Sequence, residues 1–311
     1  MSSDTNDKIF VPKSEYLKCA PSKTYSEGSC FSMESLVKIA KAYNNKFKDN
    51  QIVITESKDN LVKELTNKIT SCNNDQICWL NLKWIKELKD NDIDNNTFRP
   101  KGPQGRFKWL STTDINDVVF QYENKYDNFK FLGAVPMDFA DLYFLETYNL
   151  DIDELVNNQK KTKIGMVINL DEHWQRGSHW VALYADLSNN QIYYFDSYGT
   201  KPKKRICDFV KKLAVWCYRR NILKINELSD DDKYDTESVF MKSAVNKNKY
   251  EKLMDIQYNK TRHQFGGSEC GVYSTNFILR LLKGESFNNI CNNITPDNKV
   301  NECRKVYFRF E

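Results

Sequence analysis

Histidine is scarce in this chain: three residues among 311, and none before His173. Imidazole chemistry is therefore confined to His173, His179 and His263, and the first half of the chain lacks the common zinc ligand. No stretch approaches about 18 consecutive apolar residues. The start, MSSDTNDKIFVPKSEY, has no apolar signal core. We therefore expect a soluble, unsecreted protein with no membrane partner. The nine cysteines contain no CxxC pair and are odd in number, which predicts free thiols in a reducing compartment. In that setting the sequons at Asn95, Asn259 and Asn293 carry no meaning. The net charge of +4 is too small for this length to imply nucleic-acid binding. Internal repeats and low-complexity tracts are also missing.

What is present is a globular composition, 40% hydrophobic and 13% aromatic, in a chain long enough for one large domain or two smaller ones. Residues 1–30 lack periodicity and read as an extended arm. Ser32 is placed to cap a helix from Met33 to about Asn44, with Phe31 and Leu36 as a hydrophobic staple. Ser57 caps a second helix carrying Leu61, Leu65 and Ile69. Asn74 or Asp75 caps a third, with Ile77, Trp84, Ile85 and Leu88 inward. Cys72 and Cys78 fall in the core of this small helical module, whose spacing suits no zinc site. Asp90 to Gly105 is rich in breakers and reads as a linker. The expected division is a helical N-terminal domain with its arm, 1–98, and a second domain, 99–311.

The second domain opens with a helix through Val118, Val119 and Tyr122. Phe131 to Phe139 reads as a short extended piece, and Leu142 to Tyr148 as a helix. From Lys163 the pattern becomes strands. Ile164–Leu170 is a buried strand, and 179–185 and 191–196 form a hairpin about Ser188-Asn189-Asn190. Arg205 to Arg220 is amphipathic, with Ile206, Phe209, Leu213 and Trp216 inward. A polar insertion begins at Ser229-Asp230-Asp231-Asp232, and Met254–Tyr258 is a short strand. The tail Val306–Phe310 reads as a final packed segment.

One stretch carries chemistry: Gln264-Phe265-Gly266-Gly267-Ser268-Glu269-Cys270-Gly271-Val272-Tyr273. Cys270 opens an apolar helical run that ends near Gly284. A thiol at a helix N-terminus meets unpaired backbone N–H groups and the positive end of the dipole, a setting that favours thiolate. Gln264, brought back by the bend at Gly266-Gly267, can offer an amide donor to an oxyanion. For the base, His179 stands at the start of a rigid strand. His173 lies in a loop, in a repeated His-Trp, and His263 is too close to Gln264 to serve as both base and scaffold. Asp196, at the end of the partner strand, can accept the second ring N–H. Tight hairpin register leaves the two out of step, so a bend near Asp196-Ser197 is required. Taken singly, each residue has a plainer reading: a solvated histidine, a turn aspartate, a loop glutamine. A zinc site from the histidines and Cys270 matches no common ligand spacing.

In combination, His179-Trp180, Phe195-Asp196-Ser197 and Gln264 through Cys270-Gly271 resemble the cysteine proteases that deconjugate SUMO and other ubiquitin-like proteins. Cys30-Phe31-Ser32, Leu36–Ala40, Cys78-Trp79 and Phe131–Pro136 resemble the branch encoded by large cytoplasmic DNA viruses, so the likeness runs from about Cys30 to the end. It implies an α+β core of the adenovirus-protease and SUMO-protease type behind a helical N-terminal domain. It also implies a catalytic set of His179, Asp196, Gln264 and Cys270, with no cofactor and no metal. Trp109-Leu110 resembles the family's domain-opening Trp-Leu. By the resemblance, Trp109 and Trp180 wall a tunnel that binds Gly-Gly. Two positions depart from the family: Ser111-Thr112 replaces its Asn-Asp, which argues against SUMO as substrate, and Glu269 replaces the Asp before the nucleophile.

The implied activity is a viral thiol endopeptidase that cuts structural polyproteins after Gly-Gly during virion maturation, in the host cytoplasm and the virion. The alternatives are a deubiquitinase or SUMO protease acting on host conjugates, with a ubiquitin-like protein as partner; an acyltransferase with a His-acid-Cys triad; and a silent binding module.

Overall fold

The computed structural model describes residues 19–309 apart from 24, 26, 95, 96, 104, 106, 218, 221–244, 247–250 and 253. Most of the expected arm and the polar insertion at Ser229–Asp232 lie outside the described residues. Two compact units emerge, Met1–Gly102 with Lys305–Glu311, and Pro103–Arg304. The division thus falls after Gly102 rather than after Phe98, and the C-terminal tail groups with the first unit. The tail is tied there by a bridge between Lys101 and Arg309 and by the bond from Arg309 N–H to the Pro100 carbonyl, 2.9 Å.

In the first unit, α1 (Met33–Lys46) starts where Ser32 accepts from the Ser35 N–H. Helix α2 (Lys58–Lys68) is capped in the same way by Ser57. The expected third helix is broken into α3 (Gln76–Trp79), capped by Asp75, and α4 (Lys83–Lys86). The reason is phase. Trp79 and Ile85 are both fully buried, yet on one straight helix they would point roughly 120° apart. Trp79 stacks on Phe31, and the chain turns through Leu80–Leu82 before Ile85 can reach the same core. The expected linker also begins too early. Asn91–Asp94 forms α5, and Ile93 and Phe98 are core residues.

Cysteines depart most from expectation. Cys19 pairs with Cys30 and Cys72 with Cys78 as disulfides, with Cα separations of 5.7 and 5.5 Å. For the second pair, Asn73 and Asn74 adopt left-handed backbone, which folds the chain back so that the two thiols meet. The CxxC criterion misses such a pair.

The second unit is built on a five-stranded sheet, order β1-β2-β3-β4-β7. Its strands are β1 (Phe129–Val135), β2 (Lys163–Asn169), β3 (Trp180–Asp186), β4 (Gln191–Phe195) and β7 (Asp255–Tyr258); β5 (Val245–Asn246) and β6 (Glu251–Lys252) form a separate pair. The central β2-β3-β4 pairs are antiparallel, and both outer pairs are parallel. Phe131–Phe139 therefore contributes a true sheet strand. Ahead of it, α6 (Thr112–Val119) begins with a Ser111–Asp114 capping box. Leu142–Tyr148 is a run of turns, not a helix: Leu145 and Tyr148 bond three residues back, and Tyr143 and Phe144 are exposed rather than sharing a buried face.

Helix α7 (Lys204–Cys217) buries Ile206, Phe209, Val210 and Leu213 with Met166, Ile168, Val181, Leu183 and Tyr194 of the sheet. Helix α8 (Cys270–Leu282), buried along its whole length, packs on β3 and β2. Phe277 stacks on Phe195 with ring centres 4.8 Å apart. Short helices α9 (Phe287–Asn292) and α10 (Asp297–Glu302) follow it. Both helices and the mixed sheet make the unit α+β, as expected.

Gly165 permits the α8 packing. A Cβ there would lie 2.8 Å from Phe129 and 3.1 Å from Ile278. Gly165→Ala is expected to destabilise the protein by about 1–3 kcal/mol through overpacking. Urea denaturation checks this; an unchanged midpoint would show that α8 does not need so close an approach.

Candidate active site

Cys270 is the first residue of α8 and is 3% exposed. The helix is held close to its surroundings by Gly271, where a Cβ would meet Leu110 Cβ at 3.0 Å and Trp180 Cδ1 at 3.3 Å. First-turn amides of a helix have no intrahelical acceptor, so the thiol sits among unpaired N–H donors. Burial pushes Cys217 and Cys291 up to about 12, which keeps them protonated and unreactive.

His179 lies one residue before β3 and is buried. Its Nε2 is 2.6 Å from Asp196 Oδ1, and the ring also interacts electrostatically with Cys270. Burial pulls the imidazole pKa down, but Asp196 and Cys270 outweigh it and hold it at about 9. The ring therefore keeps its proton through neutral pH, with Asp196 as its acceptor.

Asp196 reaches His179 because the β3–β4 ladder stops in time. Its last pair is Ala182 with Phe195. Continued register would set Asp196 opposite Val181, two residues out of step with His179. Strict alternation would also keep both side chains on the α7 face, away from α8. Instead the Asp196 N–H donates to Asn259 Oδ1 at 2.8 Å, and Asn259 Nδ2 donates back to the Asp196 carbonyl at 2.6 Å. A turn then closes from the Gly199 N–H to that carbonyl, with Gly199 in left-handed backbone. The required bend is this turn. It lets the Tyr198 N–H donate to Oδ1 at 2.8 Å and the Thr200 hydroxyl donate to Oδ2. Tyr198 also stacks on His179, ring centres 4.4 Å apart.

Gln264 is fully buried. Its Oε1 accepts from Ser197 Oγ at 2.7 Å and its Nε2 donates to the Gly266 carbonyl at 2.9 Å. Both contacts fix which end of the amide carries the hydrogens and leave one Nε2 hydrogen for a ligand. The backbone N–H groups of His263 and Gln264 both donate to the Ser197 carbonyl, so the aspartate turn and the glutamine loop are one unit. The Glu269 carboxylate accepts from Ser268 N–H and Oγ and from Asn301 Nδ2. Burial would raise its pKa, yet these donors hold it below the ordinary carboxylate range. Arg304, buried beside it, donates to the Ser268 carbonyl and to Asn301 Oδ1.

Trp180, beside His179, donates from Nε1 to the Leu110 carbonyl at 2.9 Å and is 6% exposed. Trp109 is half exposed. Both line a cavity of about 540 Å³, together with Ala134, Pro136, Phe144, Asp171 and Glu172. The other histidines lie apart from Cys270. His173 bonds Asp138 at 2.5 Å on the wall of this cavity. His263 is buried against Phe195 and bonds the Cys291 carbonyl.

Sequence reasoning missed Asn259, Ser197, Tyr198 and Thr200, which hold Asp196 and Gln264. Asp-Ser-Tyr-Gly looks like an ordinary strand-end turn, and it is one; nothing in it announces a histidine partner. Asn259 is recognisable only once β7 is known to lie beside β4.

A buried thiol, an imidazolium beside it and a carboxylate behind the ring, on this mixed sheet, are the groups of a cysteine protease. The Ulp1 protease family, C-terminal catalytic domain, matches residues 156–308. A protein of Acanthamoeba polyphaga mimivirus named as a candidate thiol protease is 36% identical, covering 94% of this chain and 93% of its own length. The SUMO-1 cysteine protease of African swine fever virus is 21% identical over 68% of this chain and 72% of its own length. The crystal structure of the African swine fever virus protease aligns with a TM-score of 0.60 at 19% identity, covering 96% of this chain and 98% of that one; at that identity the likeness concerns the fold alone. The chain belongs to the Ulp1 protease family, and its relatives are viral, as the motifs imply.

The His179 proton provides a direct test. Asp196 raises the ring's pKa, so Asp196→Asn should leave burial's downward pull dominant and bring the titration midpoint well below about 9. Imidazole ¹H–¹⁵N spectra follow it; an unmoved midpoint would sink the pairing. The stabilisation from this charge is complete below the unfolded value of 6.5 and is lost as pH rises through about 9.

Proposed function

We propose that this protein is a viral endopeptidase that cleaves structural polyproteins after Gly-Gly during virion maturation, acting at assembly sites in the host cytoplasm and in the virion. The observation that carries this reading is the cavity shared by Trp109 and Trp180, the latter adjacent to His179 and pinned by Leu110. Two indole walls leading to a thiol favour a substrate segment without side chains.

In the proposed mechanism, the Cys270 sulfur attacks the scissile carbonyl carbon as thiolate, and the carbonyl electron pair moves onto oxygen. The Gln264 Nε2 hydrogen and the Cys270 N–H stabilise that oxyanion. Collapse breaks the C–N bond, and His179 gives its proton to the departing amine. Because Nε2 is committed to Asp196, the proton travels on Nδ1. Water then attacks the thioester. His179 takes a proton from it and the sulfur leaves as thiolate, which restores the starting pair. Asp196 stays ionised and holds the ring.

A ubiquitin-like protein is the second candidate substrate, because SUMO-1 stands in the name of the African swine fever virus relative. Against it, Ser111 is occupied in the α6 capping box, where the family's Asn-Asp pair would begin.

Cys270→Ala should abolish cleavage of a Gly-Gly-X peptide while leaving the thermal melt in place. Gln264→Ala should lower kcat by about 100-fold. The substrate reading is checked by comparing Gly-Gly-X with Ala-Ala-X peptides and with ubiquitin- and SUMO-aldehyde probes. Equal cleavage of the two peptides would overturn Gly-Gly selection. Efficient labelling of Cys270 by a probe would favour the ubiquitin-like substrate.

A further inference from the structure

The cavity lined by Trp109 and Trp180 receives the part of the substrate before the scissile bond. The lining does not include Tyr198, Arg262 or Phe265, yet these three adjoin the catalytic groups. Tyr198 stacks on His179. Arg262 Nε donates to the Gln264 carbonyl at 2.6 Å. Its guanidinium lies over the Tyr198 ring at 5.1 Å and the Phe265 ring at 5.0 Å. Phe265 is 71% exposed and Tyr198 37%, so the sandwich is open to solvent. The leaving amine must sit beside His179 to receive its proton, and Tyr198 covers a face of that ring. The residues after the scissile bond therefore pass over this sandwich.

The arrangement is built rather than incidental. The backbone N–H groups of Phe265 and Gly266 both donate to Asp297 Oδ2, at 2.9 and 2.7 Å, so the loop is anchored with the Phe265 ring outward. Arg262 is held by one nitrogen and two ring faces, which leaves its terminal Nη groups available. Among the described residues no carboxylate pairs with it. The neighbouring exposed cation, Lys260, lies over Tyr258. A guanidinium held over two aromatic rings keeps its remaining donors in a planar fork, the geometry that suits a carboxylate.

We propose that Arg262, set between Tyr198 and Phe265, is a specificity residue that reads an acidic side chain within the first two residues after the scissile bond. This rests on the protease reading above but not on Gly-Gly selection, and the two are separable in one experiment. A proteome-derived peptide library is digested with the full chain, and the cleaved bonds are identified by mass spectrometry. Asp and Glu should be enriched over Lys and Arg by about fivefold downstream of the cut, the size an exposed ion pair supports. The enrichment should shrink in 0.5 M salt as charges are screened. Arg262→Glu should reverse the preference towards Lys and Arg. A purely structural role for Arg262, through its bond to Gln264, would lower all cleavages together without changing that ratio. No acidic enrichment in the unmodified protein overturns the proposal whatever the variant does. Acidic enrichment without upstream Gly-Gly overturns Gly-Gly selection and supports this proposal. No cleavage at all overturns both.

Discussion

The contact between His179 Nε2 and Asp196 Oδ1 is the constraint on which the rest of the site depends. A carboxylate with no exposed surface is tolerable only if its oxygens are bonded. Here the donors are His179, the Tyr198 N–H and the Thr200 hydroxyl. None of these could reach Asp196 if β4 continued as a strand. The early end of the ladder, the Asn259 amide that replaces it, and the turn closed at Gly199 therefore form one arrangement. Its product is an imidazole that stays protonated beside a thiol, although burial opposes that charge.

The same turn reaches Gln264. Ser197 sits between Asp196 and Tyr198, and its hydroxyl and carbonyl hold the Gln264 side chain and loop. Four consecutive residues, Asp196 to Gly199, thereby hold the His179 ring, cover its face and fix the Gln264 amide. Helix α8 brings the thiol to this group from the other face of the sheet. Its approach depends on two missing side chains, at Gly165 beneath Ile278 and at Gly271 beside Leu110 and Trp180. The second also sets Trp180 against the helix start, so the cavity that Trp180 lines and the position of the Cys270 thiol share one packing contact.

Charge is distributed to match. Glu269 is held as a carboxylate by hydrogen bonds from Ser268 and Asn301, with Arg304 donating to the same loop, so the acid beside Cys270 stays within the fold. Arg262, by contrast, stands open to solvent between two rings.

Much of this was readable in the residues. His179, Asp196, Gln264 and Cys270 could be chosen because only three histidines compete, and because strand ends and a helix start place side chains predictably. Ser32, Ser57 and Asp75 announced their helices through local capping, which needs no distant partner. The failures share a cause. The break after Trp79 follows from where Phe31 lies, the Cys72–Cys78 pair from two left-handed asparagines, and the turns at Leu142–Tyr148 from exposure that periodicity cannot report. Asn259 beside Asp196, Ser197 beside Gln264 and Arg262 over Tyr198 join positions more than sixty residues apart. The chain by itself determined which groups could react, since local pattern and residue chemistry select them. Only the tertiary structure decided which nitrogen of His179 faces the acid and which atoms hold the glutamine, because those contacts exist only where strand ends, loops and helix starts meet.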